Sequence, residues 1–181
     1  EKIAIIDSIV VDKHDFFRAY KLSPETGRFA TSDILPYEKP DSVTAVFVPE
    51  NGERMMWVGL DSIGRTQLMA TNRLLDNTWE PYQALIGDLN LEGDVAYPFM
   101  MPDGSTLYYS SNGDGALGGY DIFMSRKNSE DGTFFQPQNV GMPYNSPYDD
   151  YLLVIDELTG IGWWATDRNQ IPGKLTIYMF I

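Results

Sequence analysis

The chain has no cysteine, so disulfides, thiolate metal sites and cysteine nucleophiles are excluded, while oxidising and reducing compartments both stay open. Histidine is nearly absent as well. His14 stands alone on a charged stretch, no G-x-S-x-G elbow occurs, and a Ser-His-Asp relay finds no support, so a serine peptidase is disfavoured and His14 reads as a solvated surface residue. Positive charge is scarce: 13 Lys and Arg against 26 Asp and Glu leave a net charge of −13. That balance repels a phosphate backbone, so no nucleic acid is expected as a partner, and solubility is the ordinary use of the excess acid. Long apolar runs are missing too. Ile3 to Val11 is broken by Asp7 and falls far short of the roughly 20 residues that cross a bilayer, so no transmembrane segment is expected. No leader peptide is visible, but the chain opens on Glu1 rather than Met, which leaves export open.

What the chain does have is an aromatic share of 13%, with 16 Gly and 11 Pro spread along it, a composition of short strands joined by turns. With 181 residues, 43% of them hydrophobic, it is long enough to bury a proper core. An all-β fold is expected.

Internal repetition is the strongest signal. Gly52 in PENGERMMWVG, Gly104 in MPDGSTLYYSS and Gly160 in DELTGIGWWATD each close a turn before a hydrophobic run, at spacings of 52 and 56 residues. Trp79-Glu80-Pro81 and Phe135-Gln136-Pro137 form a second anchor, each followed 13 residues later by an acid, Asp94 or Asp150. An apolar strand precedes each turn (Val43 to Val48, Val95 to Met100, Leu152 to Ile155) and a second follows it (Met55 to Gly59, Leu107 to Ser111, Gly162 to Thr166). A third comes after a loop that bears glycine (Gln67 to Thr71, Asp121 to Ser125, Thr176 to Phe180). A fourth, outer strand is expected at Trp79 to Gln83 and Phe134 to Gln138, where proline suits an edge. Four-stranded antiparallel meanders repeated in this way are β-propeller-type blades, here at about 41–92, 93–148 and 149–181. Residues 1–40 stand apart from the repeat. They read as a strand (Ile3 to Val11), a short helix (Asp12 to Tyr20) with Asp12 as its N-cap and Phe16, Phe17 and Tyr20 on one face, a turn at Ser23 to Gly27, and a segment around Pro36 to Pro40 that fits a connector and a remnant of an incomplete blade equally well.

The run Tyr97 to Ser125, YPFMMPDGSTLYYSSNGDGALGGYDIFMS, resembles the WD-like propeller repeat of the TolB group through Asp103, Gly104, Leu107, Tyr108, Ser110, Gly118, Gly119, Asp121 and Ile122. Gln136 to Asp150, with Pro137, Asn139, Gly141, Asn145 and Pro147, is similar to the inter-blade segment of the subset found in Gram-negative envelope proteins beside peptidoglycan-binding OmpA-like domains. The first copy lacks the double glycine, and the third has only Gly173 before its last strand. The resemblance implies a periplasmic or outer-membrane-associated location and an envelope protein or peptidoglycan-associated partner. It implies no activity.

Chemistry-bearing residues are few. Asp94, Asp149, Asp150 and Asp156 are candidates for a carbohydrate-active enzyme with paired carboxylates, the alternative reading. The matched places of Asp94 and Asp150 in successive repeats point instead to a shared structural task in turns. In the loop Ser111 to Asp121, Asn112, Asp114 and Asp121 offer oxygens to calcium, although Phe123 stands where an EF-hand wants glutamate and positive φ angles account for the glycines. Trp57, Tyr108, Tyr109, Trp163 and Trp164 fall on the second strands, where packing between blades is expected. Strand side chains alternate, so Trp163 and Trp164 cannot both face one neighbour. An exposed indole among Trp57, Trp163 and Trp164 is a candidate contact for a peptide or glycan.

The sequence thus predicts a non-catalytic binding or scaffolding module without a required cofactor. Three blades do not close a ring, and Leu175 to Phe180 would form an apolar edge that invites pairing with another chain. Either residues 1–40 cover that edge or the protein continues past Ile181. The second is favoured, because the amino-terminal segment carries no glycine turn.

Overall fold

Each run of apolar strand residues punctuated by a glycine turn becomes an antiparallel sheet in the computed structural model, which describes residues 2–36 and 43–181. The described chain begins with β1 (Ile5–Asp12) and a 3₁₀ segment, Lys13–Ala19. The first sheet is built from β2 (Arg28–Thr31), β3 (Ala45–Val48), β4 (Arg54–Leu60), β5 (Thr66–Asn72) and β6 (Gln83–Ala84), in that order. The second contains β7 (Val95–Met100), β8 (Thr106–Ser111), β9 (Asp121–Arg126) and β10 (Gln138–Asn139). In the third, β11 (Asp150–Asp156), β12 (Ile161–Thr166) and β13 (Lys174–Phe180) are completed by β1, in the order β1-β13-β12-β11. The fold is all-β. The outer strands expected at Trp79 to Gln83 and Phe134 to Gln138 shrink to β6, β10 and single bridges at Arg73–Trp79 and Lys127–Phe134. No described helix is long and apolar enough to cross a membrane.

Leu175 to Phe180 is not an open edge. Residues Ile5 to Asp12 pair antiparallel with Lys174 to Phe180, and the missing glycine turn is immaterial because the amino-terminal segment lends one strand rather than a hairpin. The exposed edge passes to β1, whose Ile5, Ile6, Ile9 and Val10 are all close to half exposed.

The sheets stack in sequence. β4 and β5 lie on β7, and β8 and β9 lie on β11, while the 3₁₀ segment touches β1, β2 and β13. Phe16, Phe17 and Tyr20 are buried as expected, but in a 3₁₀ segment kinked at Asp15 rather than an α-helix. Asp12 makes no cap bond, and its carboxylate pairs with Lys174 across the ladder. A chain of aromatic rings joins the three sheets through this amino-terminal segment. Trp163 stacks on Tyr20 at 5.6 Å between centroids, Tyr20 meets Phe29 at 5.8 Å, Phe29 meets Phe47 at 5.5 Å, and Phe47 meets Phe99 at 5.1 Å. Such pairs add about 0.5–1.5 kcal/mol each beyond their buried area. The Tyr20 hydroxyl donates to the Leu152 carbonyl at 2.8 Å, and the Asp156 carboxylate takes the Ser23 N–H and hydroxyl, both at 2.8 Å. The amino-terminal segment is therefore fastened at both its polar and its apolar contacts. The segment at Pro36 to Pro40 lies, beyond Pro36, outside the described residues.

Strand register refines the repeat. Gly52, Gly104 and Gly160 share positive φ values of 66°, 69° and 75°, which glycine adopts without a Cβ penalty. Yet the Gly52 and Gly104 N–H groups reach three residues back, to Pro49 and Met101, whereas that of Gly160 reaches four back, to Asp156. The ladders Val95↔Ser111 and Asp150↔Thr166 each bulge after the next pair, and the bulges hold Tyr97 and Leu152, both at positive φ. Aligned on these ladders, the third sheet lies 55 residues after the second rather than 56. Asp94 therefore corresponds to Asp149, not to Asp150, and Trp57, Tyr109 and Trp164 share one position.

Candidate functional site

Five charged residues without an ion pair among the described residues line a cleft at the glycine-turn ends of the first two sheets. Arg54 opens β4, Arg73 follows β5, Glu50 and Glu53 flank the Gly52 turn, Glu25 comes from the Ser23 to Gly27 turn, and Met100 and Met101 lead into the Gly104 turn. Together they line a cleft of about 380 Å³. Sizes of this order belong to ligand clefts, which run from about 300 to 1,000 Å³. The Arg54 side chain makes no hydrogen bond among the described residues, and its Nε is buried without a partner. Burial pushes its guanidinium below the ordinary arginine value, and the charge of Glu80 opposes that shift only in part. No described carboxylate lies within ion-pair distance of Arg54 or Arg73. Sequence reading passed over this cleft. The available signal was an arginine just after the first glycine turn, at the place that Thr106 and Ile161 take in the other sheets.

A second cleft, of about 460 Å³, is lined by Lys13, Tyr148, Asp167 and the turn Asn169 to Lys174. Its charges are partly spent: Lys13 lies over the Tyr151 ring at 5.4 Å, and Lys174 is taken by Asp12.

The acids named from sequence hold the chain in place. Asp94 accepts from the Thr66 hydroxyl at 3.1 Å, and Asp149 accepts the Tyr120 N–H at 2.9 Å. Asp150 is buried and takes the Ser146 N–H at 2.7 Å and Arg168 at 3.0 Å. Burial lifts its carboxyl above the usual range, against the pull of its hydrogen bonds and of Arg168. Asp156 sits at the far end of the same strand, bonded to Ser23. Burial alone would raise its carboxyl, but the bonds from Ser23 and its neighbours leave it lowered.

Asn112, Asp114 and Asp121 have separate surroundings. The Asn112 side-chain oxygen accepts the Asp94 N–H at 2.7 Å, Asp114 is exposed, and buried Asp121 accepts from the Leu117 N–H and Asn139 at 2.9 and 2.8 Å. The second oxygen of Asp121 is buried without a partner. No cluster of three or more His, Cys, Asp or Glu suited to a metal is found among the described residues. The glycine pair in this loop needs a corrected explanation: Gly118 and Gly119 do not adopt positive φ. A Cβ on Gly119 would stand 1.9 Å from an Asp149 oxygen, and one on Gly118 would stand 2.4 Å from the Ser146 carbonyl. Close approach of the segment that leads into the third sheet, not turn geometry, demands these glycines.

Trp57, Trp163 and Trp164 are 5%, 7% and 2% exposed. None of the three candidate indoles faces outward: Trp57, on β4, packs in a cluster with Leu35, Val46, Val48 and Met69, and both faces of β12 are covered. Trp163 stacks on Tyr20, and Trp164 packs against Tyr144, Tyr178 and Phe180. His14 is exposed, 3.6 Å from Asp15.

Among known proteins, no family model, no curated protein and no solved structure matches this chain.

Proposed function

We propose that this chain is a non-catalytic binding or scaffolding module whose three sheets are propeller-type blades of the TolB-like kind, acting in the bacterial envelope. The observation that carries the reading is the employment of its acids. Asp94, Asp149, Asp150 and Asp156 each satisfy backbone or hydroxyl donors of the fold. Glycosidases set two carboxyls about 5–9.5 Å apart. Asp150 and Asp156 are the two ends of β11, roughly 20 Å apart at ~3.3 Å per residue, so they cannot form such a pair. Blade identity is supported by the recurring strand order, the shared glycine turn and the bulge at Tyr97 and Leu152. The envelope location, and a partner that is a peptidoglycan-associated or other envelope protein, rest on the resemblance of Tyr97 to Ser125 and Gln136 to Asp150. The test is incubation of the protein with peptidoglycan and with chromogenic glycosides, scoring turnover and co-sedimentation separately. Retention without turnover supports the reading; hydrolysis lost on changing Asp149 or Asp150 contradicts it.

A further inference from the structure

We infer that the cleft beside Arg54 receives a small zwitterion, a short peptide with free termini, its carboxylate on the two arginines and its ammonium on the facing glutamates. This rests on the binding-module reading and names the ligand class for that module. The first support is Arg54 itself. Its Nε is buried and unpartnered, its side chain makes no hydrogen bond among the described residues, and it lines the cleft. A partly desolvated cation whose cost the charge of Glu80 offsets only in part gains from an anion brought to it, and a planar guanidinium matches a carboxylate with two parallel bonds. Arg73, exposed and without an ion pair among the described residues, brings a second positive charge to the same wall.

The second support excludes a simple anion. Glu25, Glu50 and Glu53 line the same cleft, and the chain as a whole carries −13, so phosphate or a dicarboxylate would enter against like charge. A simple cation is disfavoured by the two arginines. Charges of both signs facing one cavity suit a ligand that carries both, and Met100 and Met101 give its middle an adaptable apolar surface.

The test is calorimetric titration of the whole protein with L-trialanine, its N-acetyl form, its C-terminal amide and inorganic phosphate. Free trialanine should bind, each capped form should bind at least about tenfold more weakly, and phosphate should give no heat. Arg54→Gln should abolish binding and Glu50→Gln with Glu53→Gln should weaken it. Arg54→Lys, which keeps the charge but loses the planar fork, should bind weakly, and urea unfolding of each variant separates lost binding from lost folding. Equal binding of a capped form or of phosphate overturns the assignment, as does the absence of heat with trialanine. Release of free alanine during the titration would contradict the non-catalytic reading, whereas neither binding nor release contradicts only the cleft assignment.

Discussion

The N–H of Asp94 donates to the side-chain oxygen of Asn112 at 2.7 Å, and the same bond recurs between Asp149 and Asp167 at 2.8 Å, both partners displaced by 55 positions. In each pair the second residue returns its own N–H to the first residue's carbonyl, at 3.2 and 3.1 Å. One polar clasp thus closes the mouth of the first hairpin in two successive sheets, with an amide in one and a carboxylate in the other. Asn112→Asp should therefore leave stability within about 0.5 kcal/mol of the parent, while Asn112→Ala should cost about 1 kcal/mol. Equilibrium urea unfolding measures both, and equal losses would show that the clasp does not stabilise the hairpin.

Asp150 has a different task from Asp94, and the difference is measurable. It is buried, it receives Ser146 and Arg168, and Arg168 also reaches the Tyr144 carbonyl. Asp150→Ala leaves a half-buried guanidinium without its anion and should cost about 3–5 kcal/mol, against about 1 kcal/mol or less for Asp94→Ala at its exposed site. Matching losses at the two positions would revive their equivalence.

Acid sensitivity follows from Asp156. Its carboxyl titrates below the ordinary 3.8 in the folded chain because Ser23 and its neighbours bond the ionised form. The unfolded chain therefore takes up the proton first, so this contribution is complete above about pH 4 and is lost as pH falls through the lower folded value. Asp156→Asn should be less stable than the parent at pH 7, and the gap should narrow toward pH 3 in parallel denaturation series. A gap independent of pH would show that ionisation of Asp156 does not hold the Ser23 turn.

The three strands around each glycine turn were legible because apolar runs, glycine turns and proline punctuation are local signals, whereas β2, which joins the first sheet from the amino-terminal segment, was not. Nor was register. The Gly160 turn reaches one residue further than the Gly104 turn, so counting from glycine to glycine displaced the match of Asp94 by one place, onto Asp150. The roles of Gly118 and Gly119 were hidden for a related reason, since what crowds them is Asp149 and Ser146, far along the chain. Trp163 and Trp164 were placed correctly on a strand, but their burial on opposite faces depends on Tyr20, which belongs to the amino-terminal segment, and on Tyr144, which belongs to a linker. The arginine cleft was invisible because it joins residues from turns of two different sheets, which no single window of sequence brings together.

Closure of the third sheet by the amino-terminal strand is the central structural claim, and native-state hydrogen exchange followed by mass spectrometry tests it most directly. With β1 seated along β13, amides of Leu175 to Phe180 lie inside a four-stranded sheet and should exchange only with the slow, global opening that also governs β8, while peptides covering Ile5 to Asp12 show partial protection. Exchange of both segments at the rate of free loops, with β8 still protected, would contradict the closure.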